Sequence, residues 1–169
     1  GYDGINLHSA HAYLLDQFFS PLINKRTDAY NGYTLEGRTR IHMELIKGIR
    51  QVIGDKSLFA LRLGGCDYTV GGTTIEDAVW ACRRFEEAGV DLLDISGGTC
   101  CYARKGHNYP GYFGDISEAV KKEVHIPVLL TGGVRTVQDA EMLLKEEKAD
   151  MIGVGRIITA KPDWGMELI

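Results

Sequence analysis

Two histidines and a tyrosine close to the amino end, His8, His11 and Tyr13, are the residues of this sequence best able to act together. A neutral imidazole offers one donor and one acceptor, and a phenol can give up a proton. They fall at the close of the apolar run Gly4 to His8. The pattern reads as a strand that stops at His8 and turns into a helix beginning near Ala10. Strand ends that feed helices are where α/β barrels keep their chemistry. Taken singly, His8 could merely end a strand and His11 could face solvent. The three together favour two imidazoles aimed at one small volume, with Tyr13 supplying a proton to it.

The elements that must hold these residues alternate regularly. Five short apolar runs recur: Gly4 to His8, Leu58 to Leu63, Val90 to Ile95, Ile126 to Thr131 and Met151 to Val154. Such runs suit strands of a parallel sheet. Helical patterns lie between them. One spans Leu35 to Val52, with Ile41, Leu45, Ile49 and Val52 as its apolar stripe and Gly54 as its stop. Thr73-x-x-Glu76 reads as a capping box before a helix whose stripe is Ile75, Ala78, Val79, Cys82 and Phe85, closed by Gly89. Ile116, Ala119 and Val120 mark a shorter helix. Thr136 caps another, with Val137, Ala140 and Leu144 inward. Serial βα units with right-handed crossovers follow, without a linker or a second domain.

The 169 residues are 44% hydrophobic and 25% charged with a formal net charge of -4, an ordinary globular composition. The mild acidity and the lack of a basic block beyond Asn24-Lys25-Arg26 argue against nucleic acid as a partner. No apolar run is long enough to span a bilayer, so no membrane is expected. Four cysteines without a Cys-x-x-Cys pair and without an export signal point to reduced thiols in the cytoplasm.

The five strand ends carry His8 with His11; Arg62 before Gly64-Gly65; Asp94-Ile95-Ser96-Gly97-Gly98; Gly132-Gly133-Val134-Arg135; and Gly153-Val154-Gly155-Arg156. Backbone N–H groups at glycines approach an anion closely, and Arg156 adds charge for a phosphate oxygen. A Gly-Gly pair can also be only a tight turn; two such turns on consecutive strands, one with an Arg, favour an anion site. Barrels often hold phosphate after their seventh and eighth strands. If the last two strands here are those, the chain supplies the fourth to eighth strands of a (β/α)8 TIM barrel. A whole barrel takes about 250 residues, so residues 1–169 read as its C-terminal portion. Strand ends offering Gly and Arg, with few carboxylates, make the His pair a donor of hydrogen bonds; no metal is expected.

With these motifs in view, the chain resembles the Old Yellow Enzyme family of FMN-dependent NAD(P)H oxidoreductases nearly end to end. The likeness is strongest in His8-x-x-His11-x-Tyr13, in Leu14-Leu15-Asp16-Gln17-Phe18-Phe19-Ser20-Pro21-Leu22-Ile23-Asn24-Lys25-Arg26-Thr27-Asp28 and in Gly153-Val154-Gly155-Arg156. It departs at Tyr30-Asn31-Gly32-Tyr33-Thr34, where the family usually has Gly-Gly-Ser, and at Glu36-Gly37-Arg38, where it has Glu-Asn-Arg.

The resemblance implies FMN as cofactor, NADH or NADPH as reductant, and a small-molecule substrate with an activated C=C or a carbonyl. His8 and His11 would donate to a substrate oxygen, polarising the adjacent double bond. Tyr13 would protonate carbon while the flavin delivers hydride. Arg62 would sit beside the N1/C2 edge of the flavin, or form an ion pair that closes the barrel. Gly133, Gly155 and Arg156 would hold the FMN phosphate, with Gly132 as a turn former beside them. Tyr102, His107, Tyr109 and Tyr112 would line the substrate mouth or lie on the surface. Two other readings stand: a non-redox barrel lyase or isomerase of phosphorylated substrates, and a truncated module without catalysis that forms homo-oligomers through open sheet edges.

Overall fold

A computed structural model describes residues 1–168. Five strands, β1 (Gly4–Ser9), β2 (Leu58–Gly64), β3 (Leu92–Ser96), β4 (Val128–Thr131) and β5 (Met151–Gly153), form one sheet in the order β1-β2-β3-β4-β5. All four pairings are parallel. Between them run α1 (Leu14–Phe19), α2 (Leu35–Ile53), α3 (Ile75–Glu87), α4 (Gly114–Lys121) and α5 (Val137–Lys145), with α6 (Arg156–Ala160) after β5. The serial βα topology is as expected. β3 and β4 start two residues later than their apolar runs. Pro127 has no N–H for the ladder, and Asp91 instead accepts from the backbone N–H of Phe59 at 2.8 Å.

The two faces of the sheet differ in kind. Side chains alternate along each strand, and the register aligns Phe59, Leu61 and Leu63 with Leu93, Ile95, Val128 and Leu130 on the helix side, all fully buried. The other face takes Asn6, His8, Arg62, Asp94, Ser96 and Thr131. One face makes the core and the other presents the polar groups.

Three sequence expectations shift. The expected α2 stripe holds only in part: Ile49 packs half-buried against the core and Ile41 is half-buried, but Leu45 is exposed, Val52 is 85% exposed, and the fully inward row is Arg38, Thr39, His42 and Ile46. His42 stacks on Phe85 at 5.4 Å and its Nε2 lies 2.7 Å from Ser9 Oγ, tying α2 to the end of β1. The α3 capping box is formed by Thr74 and Asp77, one residue later than Thr73 and Glu76. The Thr73 N–H is taken by Asp67 instead. In α5 the capping Thr136 is as expected, but Leu143 turns inward and Leu144 is exposed.

Buried polar residues lash together the loops at the strand ends. Asp67 accepts from Ser20 Oγ (2.6 Å), Thr73 N (2.8 Å) and Thr99 N (2.8 Å). Arg38 donates to Phe19 O (2.6 Å) and Asp77 (2.9 Å). The unusual Gly37 has a partner in this scheme. A Cβ there would lie 2.6 Å from the Asn31 side chain, whose Oδ1 accepts from Thr34 N and Thr34 Oγ1. The Asn31 carbonyl oxygen is equally close, so a side chain at 37 would displace the turn itself.

Candidate active site

The chain leaves β1 at Ser9 and does not enter a helix at Ala10. His11 (φ 62°) and Ala12 (φ 60°) both adopt the left-handed conformation, and α1 begins only at Leu14. Two such non-glycine residues in succession are unfavourable, so other contacts must hold them. His11 N donates to Gly97 O (3.3 Å), Tyr13 N to Ala10 O (3.2 Å) and Ala12 N to the buried Asp16 carboxylate (2.7 Å). This tight turn, rather than a helical one, folds the three side chains together. The His8 ring lies 5.3 Å from that of His11 and 5.6 Å from that of Tyr13.

Electrostatics keep both imidazoles neutral. Burial, with the Arg62 guanidinium second, lowers His8; burial, Arg62 and His8 bring His11 down to about 4. At neutral pH each ring has one N–H to donate. His11 Nε2 lies 2.8 Å from Ser96 Oγ. Tyr13 is 64% exposed, and His8 is exposed beside it.

Arg62 pairs with Asp94, Nε to Oδ2 at 3.2 Å, and Asn6 donates to the same oxygen at 3.4 Å. The ion pair named as the alternative for Arg62 is therefore present, on the polar face. Burial nevertheless raises Asp94, against the pull of Arg62. Arg62 Nε and Asp94 Oδ1 are both buried without a hydrogen bond among the described residues.

A cleft of about 910 Å³ opens on this face, and His11, Arg62, Gly132, Gly133, Gly155 and Arg156 all line it. Six of the eight residues singled out from the sequence thus share one space; His8 and Tyr13 stand outside it, near the β1 edge. Tyr102 and Tyr112 also line the cleft, while His107 and Tyr109 pack on one another. Asp94, Ser96, Thr131 and Arg135 add polar groups to its wall; sequence reading placed most of them at strand ends without assigning them a part. A second groove of about 890 Å³, between α3 and α4, contains none of these residues.

The glycine turns divide in their reasons. Gly132 and Gly133 have φ of 120° and 74°, and a Cβ on either would lie 2.8 Å from the Tyr112 ring. Their smallness makes room for Tyr112, whose hydroxyl donates to Tyr102 O at 2.6 Å. Gly155 is different: a Cβ there would meet nothing within 4 Å. Neither Gly133 N–H nor Gly155 N–H has an acceptor among the described residues. With the Arg156 guanidinium alongside, this end of the cleft fits an anion such as the phosphate of FMN.

Known proteins resemble this chain along its length. An NADH oxidase of Thermoanaerobacter brockii is 35% identical over 167 residues, and an NADPH dehydrogenase of Halalkalibacterium halodurans is 38% identical over 167 residues. The alignments cover 96% and 99% of this chain, but only 26% and 48% of those proteins. The chain thus spans between a quarter and a half of the length of these relatives. The structure of a 2-naphthoyl-CoA reductase complex superposes with a TM-score of 0.90 at 28% identity, covering 99% of this chain and 26% of that one. An old yellow enzyme homologue from Zymomonas mobilis gives 0.79 at 23% identity, over 99% of this chain and 46% of that one, a likeness of fold. The family model for NADH:flavin oxidoreductases and NADH oxidases matches residues 1–168. The chain belongs to the NADH:flavin oxidoreductase / NADH oxidase family of FMN-dependent oxidoreductases.

Proposed function

We propose that residues 1–169 supply the fourth to eighth strands of an FMN-binding (β/α)8 barrel that reduces activated C=C bonds at the expense of NADH or NADPH. The observation that carries this reading is the gathering of two neutral imidazoles and a phenol beside a cleft whose far end offers unpaired N–H groups and Arg156. His8 and His11 donate to the substrate oxygen and stabilise the negative charge that develops there. Tyr13 gives its proton to the α-carbon. FMN, when bound, supplies the hydride. Arg62 holds a positive charge on the cleft wall, and Gly133, Gly155 and Arg156 hold the phosphate. The four free cysteines suit a cytoplasmic enzyme.

Replacing Tyr13 by Phe in the full-length protein tests the assignment. Flavin reduction by NAD(P)H should be nearly unchanged, and reoxidation by an enone should slow by about 10²–10⁴-fold, the usual contribution of a positioned acid. Stopped-flow absorbance resolves the two half-reactions; equal slowing of both would remove Tyr13 from the donor role.

The chain alone should hold FMN weakly and turn over no NAD(P)H, because the contacts it offers must still offset the full ordering cost of the ligand. β1 and β5, at the two sheet edges, present unpaired backbone groups, so self-association is expected. Light scattering with a visible spectrum reads both; a yellow, active monomer would refute the partial-barrel reading.

A further inference from the structure

Ser96 ends β3 on the polar face and is 2% exposed. Its hydroxyl lies 2.8 Å from His11 Nε2, and it has no other side-chain partner among the described residues. The neighbouring Gly97 accepts the backbone N–H of His11. Two consecutive residues of β3 and its exit therefore grip His11 by ring and by backbone.

A hydroxyl carries one proton, and a neutral imidazole carries one N–H and one lone pair. If Nε2–H donated to Ser96 Oγ, the hydroxyl proton would be buried without an acceptor, and Nδ1 would present only a lone pair. If the hydroxyl donates to Nε2, both contacting atoms are satisfied and the ring proton resides on Nδ1. Buried donors left unpaired are the costlier arrangement. The ring is neutral at physiological pH, since burial, Arg62 and His8 hold it down. Its single proton must therefore be placed on one nitrogen or the other.

We propose that Ser96 is a positioning residue that donates its hydroxyl proton to His11 Nε2, fixes the Nδ1–H tautomer, and so makes Nδ1–H the group that His11 offers to a substrate oxygen. The use of that N–H rests on the oxygen-binding role proposed above; the tautomer does not. Without Ser96, the ring could turn its lone pair toward the substrate and repel the oxygen it should bind.

Long-range proton–nitrogen correlation spectra of the ¹⁵N-histidine-labelled chain read the tautomer directly, with no flavin or substrate in the sample. His11→Gln assigns the signal, and His42, held by Ser9 in the core, reports that each variant is folded. The wild type should show His11 protonated on Nδ1. Ser96→Ala should shift the population toward Nε2–H, and Ser96→Thr, which keeps the hydroxyl, should restore the wild-type pattern. A wild-type His11 protonated on Nε2, or a folded Ser96→Ala unchanged from wild type, overturns the proposal; should Ser96→Ala not fold, the wild-type spectrum decides. In the full-length protein, phenolate should bind about tenfold more weakly to Ser96→Ala and with near wild-type affinity to Ser96→Thr. A full-length protein with the Nδ1–H tautomer that binds no phenolate would refute the donor role of the site while confirming the tautomer.

Discussion

Asp16 should make the stability of this chain fall as the pH rises. The carboxyl is 1% exposed at the base of the left-handed His11–Ala12 turn. One oxygen accepts from Ala12 N at 2.7 Å, but the other is buried without a hydrogen bond among the described residues, and burial prevails. It raises the group from its ordinary 3.8 to about 7, with Asp67 contributing in the same direction. In the unfolded chain the proton leaves near pH 4; in the folded chain it stays until about pH 7. The folded state thus binds more protons between these values, so its stability is greatest at the acid end and declines through this window. At about 1.4 kcal/mol per pH unit, the difference amounts to about 4 kcal/mol by pH 8. Asp16→Asn keeps an acceptor for Ala12 N and removes the charge. Urea denaturation of both proteins at constant ionic strength, from pH 4 to 8, isolates this group, because titrations that do not couple to Asp16 cancel in the difference. The variant should be close to wild type at pH 4 and gain progressively toward about 4 kcal/mol at pH 8. A difference that stays flat across the range, or that grows toward acid pH, would refute the burial argument.

The other tests bear on packing. Gly37→Asn should destabilise by about 1–3 kcal/mol through collision with the side chain and the carbonyl oxygen of Asn31; an unchanged midpoint in urea denaturation would show that the segment before α2 gives way at no cost. Ile46→Ala should cost about 2–5 kcal/mol as a core truncation, whereas Val52→Ala should change stability by less than about 0.5 kcal/mol. Comparable thermal shifts in these two variants would mean that the face of α2 has been assigned wrongly.

The five strands could be read because parallel strands packed on a helix layer show their apolar character over consecutive residues, as in Leu58 to Leu63. The stripe of α3 was equally plain. The stripe of α2 was not, because its inward row contains Arg38 and His42. These become tolerable in the core through Phe19 O and Asp77 for Arg38 and Ser9 Oγ for His42, partners that periodicity does not reveal. The start of α1 was misplaced because nothing in His11 or Ala12 announces a left-handed backbone; glycine is the usual signal. The cap of α3 lies at Thr74 and not at Thr73 because Asp67, distant in sequence from the helix, takes the Thr73 N–H. At the site, the type and spacing of His8, His11 and Tyr13 were legible, as were the glycine turns. The Ser96–His11 bond was not, since 85 residues separate its ends.

The strand order also sets a timetable for making the protein. Every strand pairs with the one just before it in the sequence, so none must wait for a later segment to slip between two earlier ones. The register partners Ala60 and Leu92 illustrate the interval. At about 5–20 residues per second the ribosome needs about 2–6 s to deliver the second after the first. Helices form in about a microsecond and hairpins in about 1–10 μs, so each unit can settle on its predecessor long before the next emerges. Growth of the sheet would then keep pace with translation, and slow codons would matter most where they prolong the life of a newly exposed edge.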